Sequence, residues 1–158
     1  MRFLKDLLFP KLCAGCGAIG SFICFSCQKK LVVVEKQRCF YCRRPSLYGL
    51  THPGCRKNQG VDGAVSLYTY TNLLKRILKT AKYRLAKEVL DELLHISTEV
   101  AGHTLYSTRS PYRTIPATPI PLHTSRLRQR GYNQSDVIVS FLKRLSPDLG
   151  SHRLLRRV

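Results

Sequence analysis

The chain predicts a small N-terminal double zinc ribbon followed by an incomplete α/β domain, and three observations carry that prediction. Cysteine and histidine pairs at metal-ligand spacing crowd residues 13–55. A β-rich stretch then gives way to a helix-period apolar run, and a second β-like stretch leads through a basic segment into another such run. At 158 residues and 44% hydrophobic content, the protein suits one ordinary domain, or a metal-held module joined to part of a second.

The pairs are Cys13-Ala-Gly-Cys16, Cys24-Phe-Ser-Cys27, Cys39-Phe-Tyr-Cys42 and His52-Pro-Gly-Cys55, which use all seven cysteines. Two intervening residues let a tight turn point both side chains at one ion, and zinc takes four soft or borderline ligands in a tetrahedron. Four pairs therefore make two closed sites. A disulfide framework fits poorly, because the cysteine count is odd and no signal peptide precedes it. A thioredoxin-type redox pair calls for one Cys-x-x-Cys beside a βαβ pattern, not three in succession. Pairing in sequence order is favoured over a cross-brace of the first pair with the third. His52 is the weakest ligand of the set: a histidine in a Pro-Gly turn can simply be exposed, but it stands beside an otherwise unpartnered Cys55. Sites closed by four protein ligands hold a fold together and catalyse nothing. Free thiols and zinc both point to the reducing cytoplasm.

The formal net charge is +18; seven ligand thiolates and two Zn²⁺ lower it to about +15. Residues 1–60 carry 11 Lys/Arg against 2 acids, residues 61–108 carry 6 against 5, and residues 109–158 carry 10 against 2. Basic ends flanking a neutral middle suit polyanions, nucleic acid or phosphorylated metabolites, with a solubilising surface as the alternative. No apolar run approaches the roughly 20 residues of a membrane span.

In chain order, residues 1–12 form a short amphipathic lead-in helix, since Asp6 interrupts the leucines and no cleavage site follows. Residues 32–34, three valines, are strand-like. A polar break at 58–60 ends the ribbon unit, residues 1–60, and the α/β unit takes 61–158. Residues 61–70 alternate as a strand. From Asn72, the expected N-cap, helical spacing runs through Leu73, Leu74, Ile77, Leu78, Ala81, Leu85, Val89, Leu90, Leu93 and Leu94. Residues 102–112 read as a loop. Residues 115–120 allow a short strand shaped by Pro119 and Pro121. A basic loop spans 124–134, and a helix follows over 134–145 with Val137, Ile138, Phe141, Leu142 and Leu145 on one face.

Several of these stretches, in this order, resemble the ComF family of competence-associated proteins. They are the knuckle pairs, Tyr68-Thr-Tyr with the following Ala81-Lys82-Tyr83-Arg84, Pro119-Ile-Pro-Leu-His123, and Arg126-Leu-Arg-Gln-Arg-Gly-Tyr-Asn-Gln134. The resemblance covers essentially the whole chain. It implies a double zinc ribbon on a phosphoribosyltransferase-like, Rossmann-type domain acting in DNA uptake. It also implies that the chain stops before the family's Asp-Asp-x-x-Thr-Thr-Gly turn, which grips ribose hydroxyls and the 5′-phosphate. On that ground no catalytic residue is assigned and the chain alone is expected to be inactive. An unfinished sheet exposes an edge, so a complementing C-terminal fragment or a competence-machinery protein is an expected partner.

By the same resemblance, Arg126, Arg128, Arg130 and Gly131 form a pyrophosphate-side loop, with Lys82 as a further phosphate or nucleic-acid contact; a solvated basic loop is the alternative. Asn133 and Gln134 are read as helix caps and His123 as structural. A second reading is a zinc-ribbon module for single-stranded DNA without chemistry. In it Phe22, Phe25, Phe40, Tyr41 and Tyr48 stack on bases. Packing around the metal sites is their alternative role.

Overall fold

The structure, a computed structural model, describes residues 10–83, 87–107, 109–113 and 115–157. It consists of an N-terminal double ribbon and a helical C-terminal part. The lead-in helix expected over residues 1–12 lies mostly outside the described residues. After the ribbon segment, which holds the short α1 (Phe25–Gln28), come α2 (Asn72–Tyr83), α3 (Lys87–Ile96), α4 (Thr98–Tyr106), α5 (Thr124–Arg130) and α6 (Gln134–Leu145). Single 3-10 turns occur at Leu47–Gly49, Pro53–Cys55 and Pro111–Arg113.

The long periodic run beginning at Asn72 is two helices, not one. A straight helix over 72–94 would be about 34 Å long, with its apolar stripe short of partners. Instead α2 packs on α3, so that Leu74, Ile77 and Ala81 bury against the same core as Val89, Leu90, Leu93 and Leu94. Leu85 lies outside the described residues. The cap is Thr71, one residue before Asn72: its Oγ1 accepts from the Leu74 N–H at 3.4 Å. Residues 102–106, expected as loop, complete α4. Ala101 of that helix is fully buried. Helix α6 begins and ends where its period predicts. Val137 and Phe141 are buried and Leu142 and Leu145 pack at the margin, whereas Ile138 is exposed.

Neither expected strand forms as a strand among the described residues. The 61–70 segment instead lies along the ribbon. Val33 bridges Tyr68 in antiparallel sense, Val34 N–H donates to Leu67 O at 3.0 Å and Thr69 N–H to Val32 O at 2.8 Å. Farther back, Ala64 N–H donates to Gly49 O at 3.0 Å, and the Gln37 amide both donates to Ser66 O and accepts from Ser66 N–H. In the 115–120 segment the backbone pairs only at Ala117, which forms a parallel bridge to Ser151. Prolines 116, 119 and 121 lack the N–H groups that would extend it.

One buried cluster runs through both parts: Cys13, Ile23, Cys27 and Leu31 from the ribbon join Leu74, Ile77, Ala81, Leu90, Ala101 and Phe141 from the helices. Among the described residues, no helix is long and apolar enough to cross a membrane.

Candidate metal centres and the surrounding basic surface

Each ribbon is built from a knuckle on a tight backbone turn facing a second knuckle at a helical turn. In the first, Gly17 N–H returns to Cys13 O and Cys13 N–H to Ala18 O, both at 2.8 Å. In the second, Arg43 N–H returns to Cys39 O and Cys39 N–H to Arg44 O, both at 3.0 Å. The residue four after the leading cysteine is left-handed in both, Gly17 with φ 84° and Arg43 with φ 62°. Glycine takes that conformation freely, whereas an arginine is held in it by the turn. The facing knuckles are set by α1, whose first residue follows Cys24, and by the 3-10 turn Pro53–Cys55, where proline pre-sets the first helical φ.

The ligand atoms of Cys13, Cys16, Cys24 and Cys27 all lie within 4.8 Å of one another, and so do those of Cys39, Cys42, His52 and Cys55. Tetrahedral zinc, with Zn–S near 2.3 Å, places its sulfurs about 3.8 Å apart. Cys16 Sγ and Cys24 Sγ are 3.5 Å apart, and Cys42 Sγ is 3.3 Å from His52 Nδ1. Both donor sets therefore fit zinc, and the knuckles pair in sequence order. His52 stands in the second set with its tautomer fixed. Its Nε2 lies 3.2 Å from Pro45 O, a carbonyl that can only accept, so the proton is on Nε2 and the Nδ1 lone pair faces the thiolates.

Backbone dipoles prepare the thiolates. Burial pushes the Cys13 thiol up, but the N–H groups of Cys24, Cys16 and Gly15 outweigh it and hold it at about 6. Cys42 is likewise held at about 6, first by the Arg44 N–H and then by the Arg44 side chain. Cys27 is pushed up to about 12 by burial and by the neighbouring thiol groups. A divalent cation at the centre replaces that mutual repulsion with attraction. Without metal, a proton on Nδ1 would bridge to the Cys42 sulfur and so raise the His52 imidazole; zinc takes that proton's place.

Two residues that support the sites were not singled out from the sequence. Arg44 faces the second set and offsets the net negative charge of three thiolates around one zinc. It lies two residues beyond Cys42, a basic position beside a ligand that local reading could have found. Glu92 of α3 accepts from the Ile23 N–H at 2.8 Å and the Phe22 N–H at 3.2 Å, immediately before Cys24. It is some 70 residues away in sequence, and only the packing of α3 against the ribbon reveals it. Its neighbour Asp91 pairs with Lys87 at 2.6 Å.

The basic residues expected at a phosphate loop lie on a helix, since α5 occupies 124–130 in place of the loop. Positions two apart on a helix point to different sides, so Arg126 and Arg128, both exposed, do not converge. Arg130 is buried and donates to Gln134 Oε1 at 3.3 Å. Gly131 ends α5 in the left-handed conformation, φ 71°. Lys82 is exposed in the last turn of α2, which packs on α5; Tyr132 ties the two by donating to Ala81 O at 2.7 Å. Arg84 lies outside the described residues. His123 caps α5, its Nδ1 accepting from the Ser125 N–H, and Asn133 caps α6 by accepting from the Ser135 N–H at 3.1 Å.

Two closed zinc-ribbon sites, sharing a core with a helical domain, define a structural zinc-ribbon protein with no open metal position. Comparison with known proteins agrees: residues 4–57 match the family model of the double zinc ribbon domain. The chain is similar to competence protein ComFC of Bacillus subtilis (strain 168), with 27% identity over 144 residues, 85% of this chain and 55% of the relative. It thus spans about half the length of the curated relative it matches. No solved structure matches the chain. The ComF resemblance read from the sequence is supported by these two matches.

Proposed function

We propose that this chain is a ComF-family protein that binds single-stranded nucleic acid during DNA uptake in the cytoplasm, with its zinc ribbons presenting the binding surface. The observation that carries this reading is the state of the two knuckle tips. Phe25 and Phe40 each stand between two ligand cysteines, and they are 68% and 47% exposed. Each ring has a cation against it, Lys29 Nζ at 4.3 Å from the Phe25 centroid and the Arg43 guanidinium at 6.0 Å from that of Phe40. Lys57 stands likewise 5.4 Å from the Tyr41 ring and Lys11 5.7 Å from that of Phe22. Rings needed only to cover metal would be buried. An exposed ring beside a cation offers a base its face and the adjoining phosphate a charge. The matched relative is a competence protein, in keeping with DNA as the polymer.

On this reading the C-terminal part belongs to a phosphoribosyltransferase-like α/β fold. The parallel bridge of Ala117 to Ser151 supports it, because parallel pairing needs a crossover and α5 with α6 supplies one. Lys82, Arg126 and Arg128 then add separate phosphate contacts, those of Arg126 and Arg128 on different sides of α5. Arg130 and Gly131 shape the junction between α5 and α6.

The test is fluorescence anisotropy of a labelled oligo(dT) across a potassium chloride series. Log affinity is expected to fall with log salt at about −0.7 per phosphate neutralised. Phe25→Ala and Phe40→Ala should each cost about 1–3 kcal/mol, and Arg126→Ala and Arg128→Ala should flatten the slope. No binding at low salt, or tip variants identical to wild type, would overturn the reading.

A further inference from the structure

A groove of about 550 Å³ runs between the second ribbon and α4, and the knuckle-tip surface does not account for it. Val34, Pro45, Leu47 and Tyr48 supply its apolar wall, and His103 and Thr104 of α4 face them. The volume lies in the range of roughly 300–1,000 Å³ typical of small-molecule sites. Two of its polar side chains are already committed: the Gln37 amide to Ser66 and the Ser46 hydroxyl to Leu50 O. The side chains of Glu35, Lys36 and His103 make no hydrogen bond or ion pair with other described residues, and the three residues are exposed.

Tyr48 is the unusual member. Its backbone is left-handed, φ 53° and ψ 18°, a conformation that a bulky aromatic residue adopts only when its surroundings impose it. Here they do. Tyr112 Oη donates to the Tyr48 carbonyl at 2.9 Å, and Ser107 Oγ donates to Tyr48 Oη at 3.4 Å. The next residue, Gly49, is also left-handed at φ 70°, and a Cβ on it would overlap the Ala64 carbonyl oxygen. A ring fixed this way on the wall of an open groove is a preformed stacking platform.

We propose that this groove takes one unstacked nucleobase of a bound single strand. The base would stack on Tyr48, its edge would meet the Glu35 carboxylate and His103, and Lys36 would hold the adjoining phosphate. The occupant follows from the combination of a rigid ring, an acceptor for an exocyclic amine and a basic flank. In sequence, Gln37 and Pro45 of the groove flank the third knuckle, whose tip carries Phe40. This inference rests on the nucleic-acid reading above and deepens it.

The probe is an oligo(dT) carrying one central 2-aminopurine, at low salt, with zinc-loaded protein. Phe22→Leu, Phe25→Ala, Phe40→Ala and Tyr41→Leu together form the background, so that stacking on the ribbon rings outside the groove contributes nothing. Emission should be quenched on binding by this background protein and by its Tyr48→Phe derivative, which keeps the ring. Tyr48→Leu should lose the quenching and bind roughly tenfold more weakly. Thr104→Leu, which narrows the groove from α4 without altering the ribbon, should also lose it, so the test stands even where Tyr48→Leu fails to fold. Undiminished quenching with both Tyr48→Leu and Thr104→Leu would overturn the groove assignment alone. Absence of any anisotropy change with unsubstituted protein would overturn it together with the nucleic-acid reading.

Discussion

Replacing Glu92 tests how the ribbon is joined to the helices. Glu92→Ala removes the acceptor for the N–H groups of Phe22 and Ile23, held at 3.2 and 2.8 Å. Ile23 is fully buried, so its N–H has no ready access to water. A hydrogen bond to a charged group contributes about 1.5–3 kcal/mol. The shorter contact counts in full and the longer one in part, so the expected loss is about 3 kcal/mol. For a chain of this size that corresponds to a fall in Tm of roughly 6–12 °C. Asp91 cannot substitute, since it is paired with Lys87 and points elsewhere on the helix. Thermal unfolding of the zinc-loaded protein measures the loss, and competition with a colorimetric chelator measures zinc release. Because Cys24 directly follows the two clamped residues, the first site should release zinc faster in Glu92→Ala while the second is unchanged. Glu92→Gln keeps one acceptor oxygen and should fall between. A Glu92→Ala protein within about 0.5 kcal/mol of wild type, with unchanged release, would refute the clamp.

Gly15→Ala should also destabilise the first ribbon, by about 1–3 kcal/mol, because its Cβ would come within 2.7 Å of both Cys27 Sγ and Leu73 Cδ1; zinc content and denaturant unfolding check this. Asn133→Ala removes the α6 cap and should cost about 1 kcal/mol without changing zinc content, as read by urea denaturation. Chelator treatment should disturb the helices as well as the ribbon, since Cys13 and Cys27 sit in the same buried cluster as Leu74, Ile77 and Phe141; far-UV circular dichroism at 222 nm would report the loss, and an unchanged helical signal would contradict the shared core.

The parts of the molecule legible in the sequence are those specified locally. Ligand spacing defined both metal sites, His52 included, because a two-residue knuckle closes its own geometry. Helix α6 was legible because its period and its Asn133 cap agree. What escaped depends on partners distant in sequence. Nothing between Thr80 and Glu88 is a proline or glycine, so the division of one periodic run into α2 and α3 comes from tertiary packing. The 61–70 segment has the composition of a strand, but its backbone partners lie in the ribbon at Val32, Val34, Gln37 and Gly49. The basic run 124–130 contains no glycine, the first being Gly131 just after it, and with the His123 cap it folds as a helix, which separates Arg126 from Arg128. Glu92 gave no signal at all, since a lone carboxylate on an amphipathic helix resembles any solvated charge.

X-ray absorption at the zinc edge, on protein purified without added metal, tests the central claim that the ribbons are two closed structural centres. Ligands from seven cysteines and one histidine predict two zinc ions per chain and a first shell averaging seven sulfurs to one nitrogen, at about 2.3 Å and 2.0–2.1 Å. A single zinc per chain, or an oxygen ligand marking an open coordination position, would contradict it.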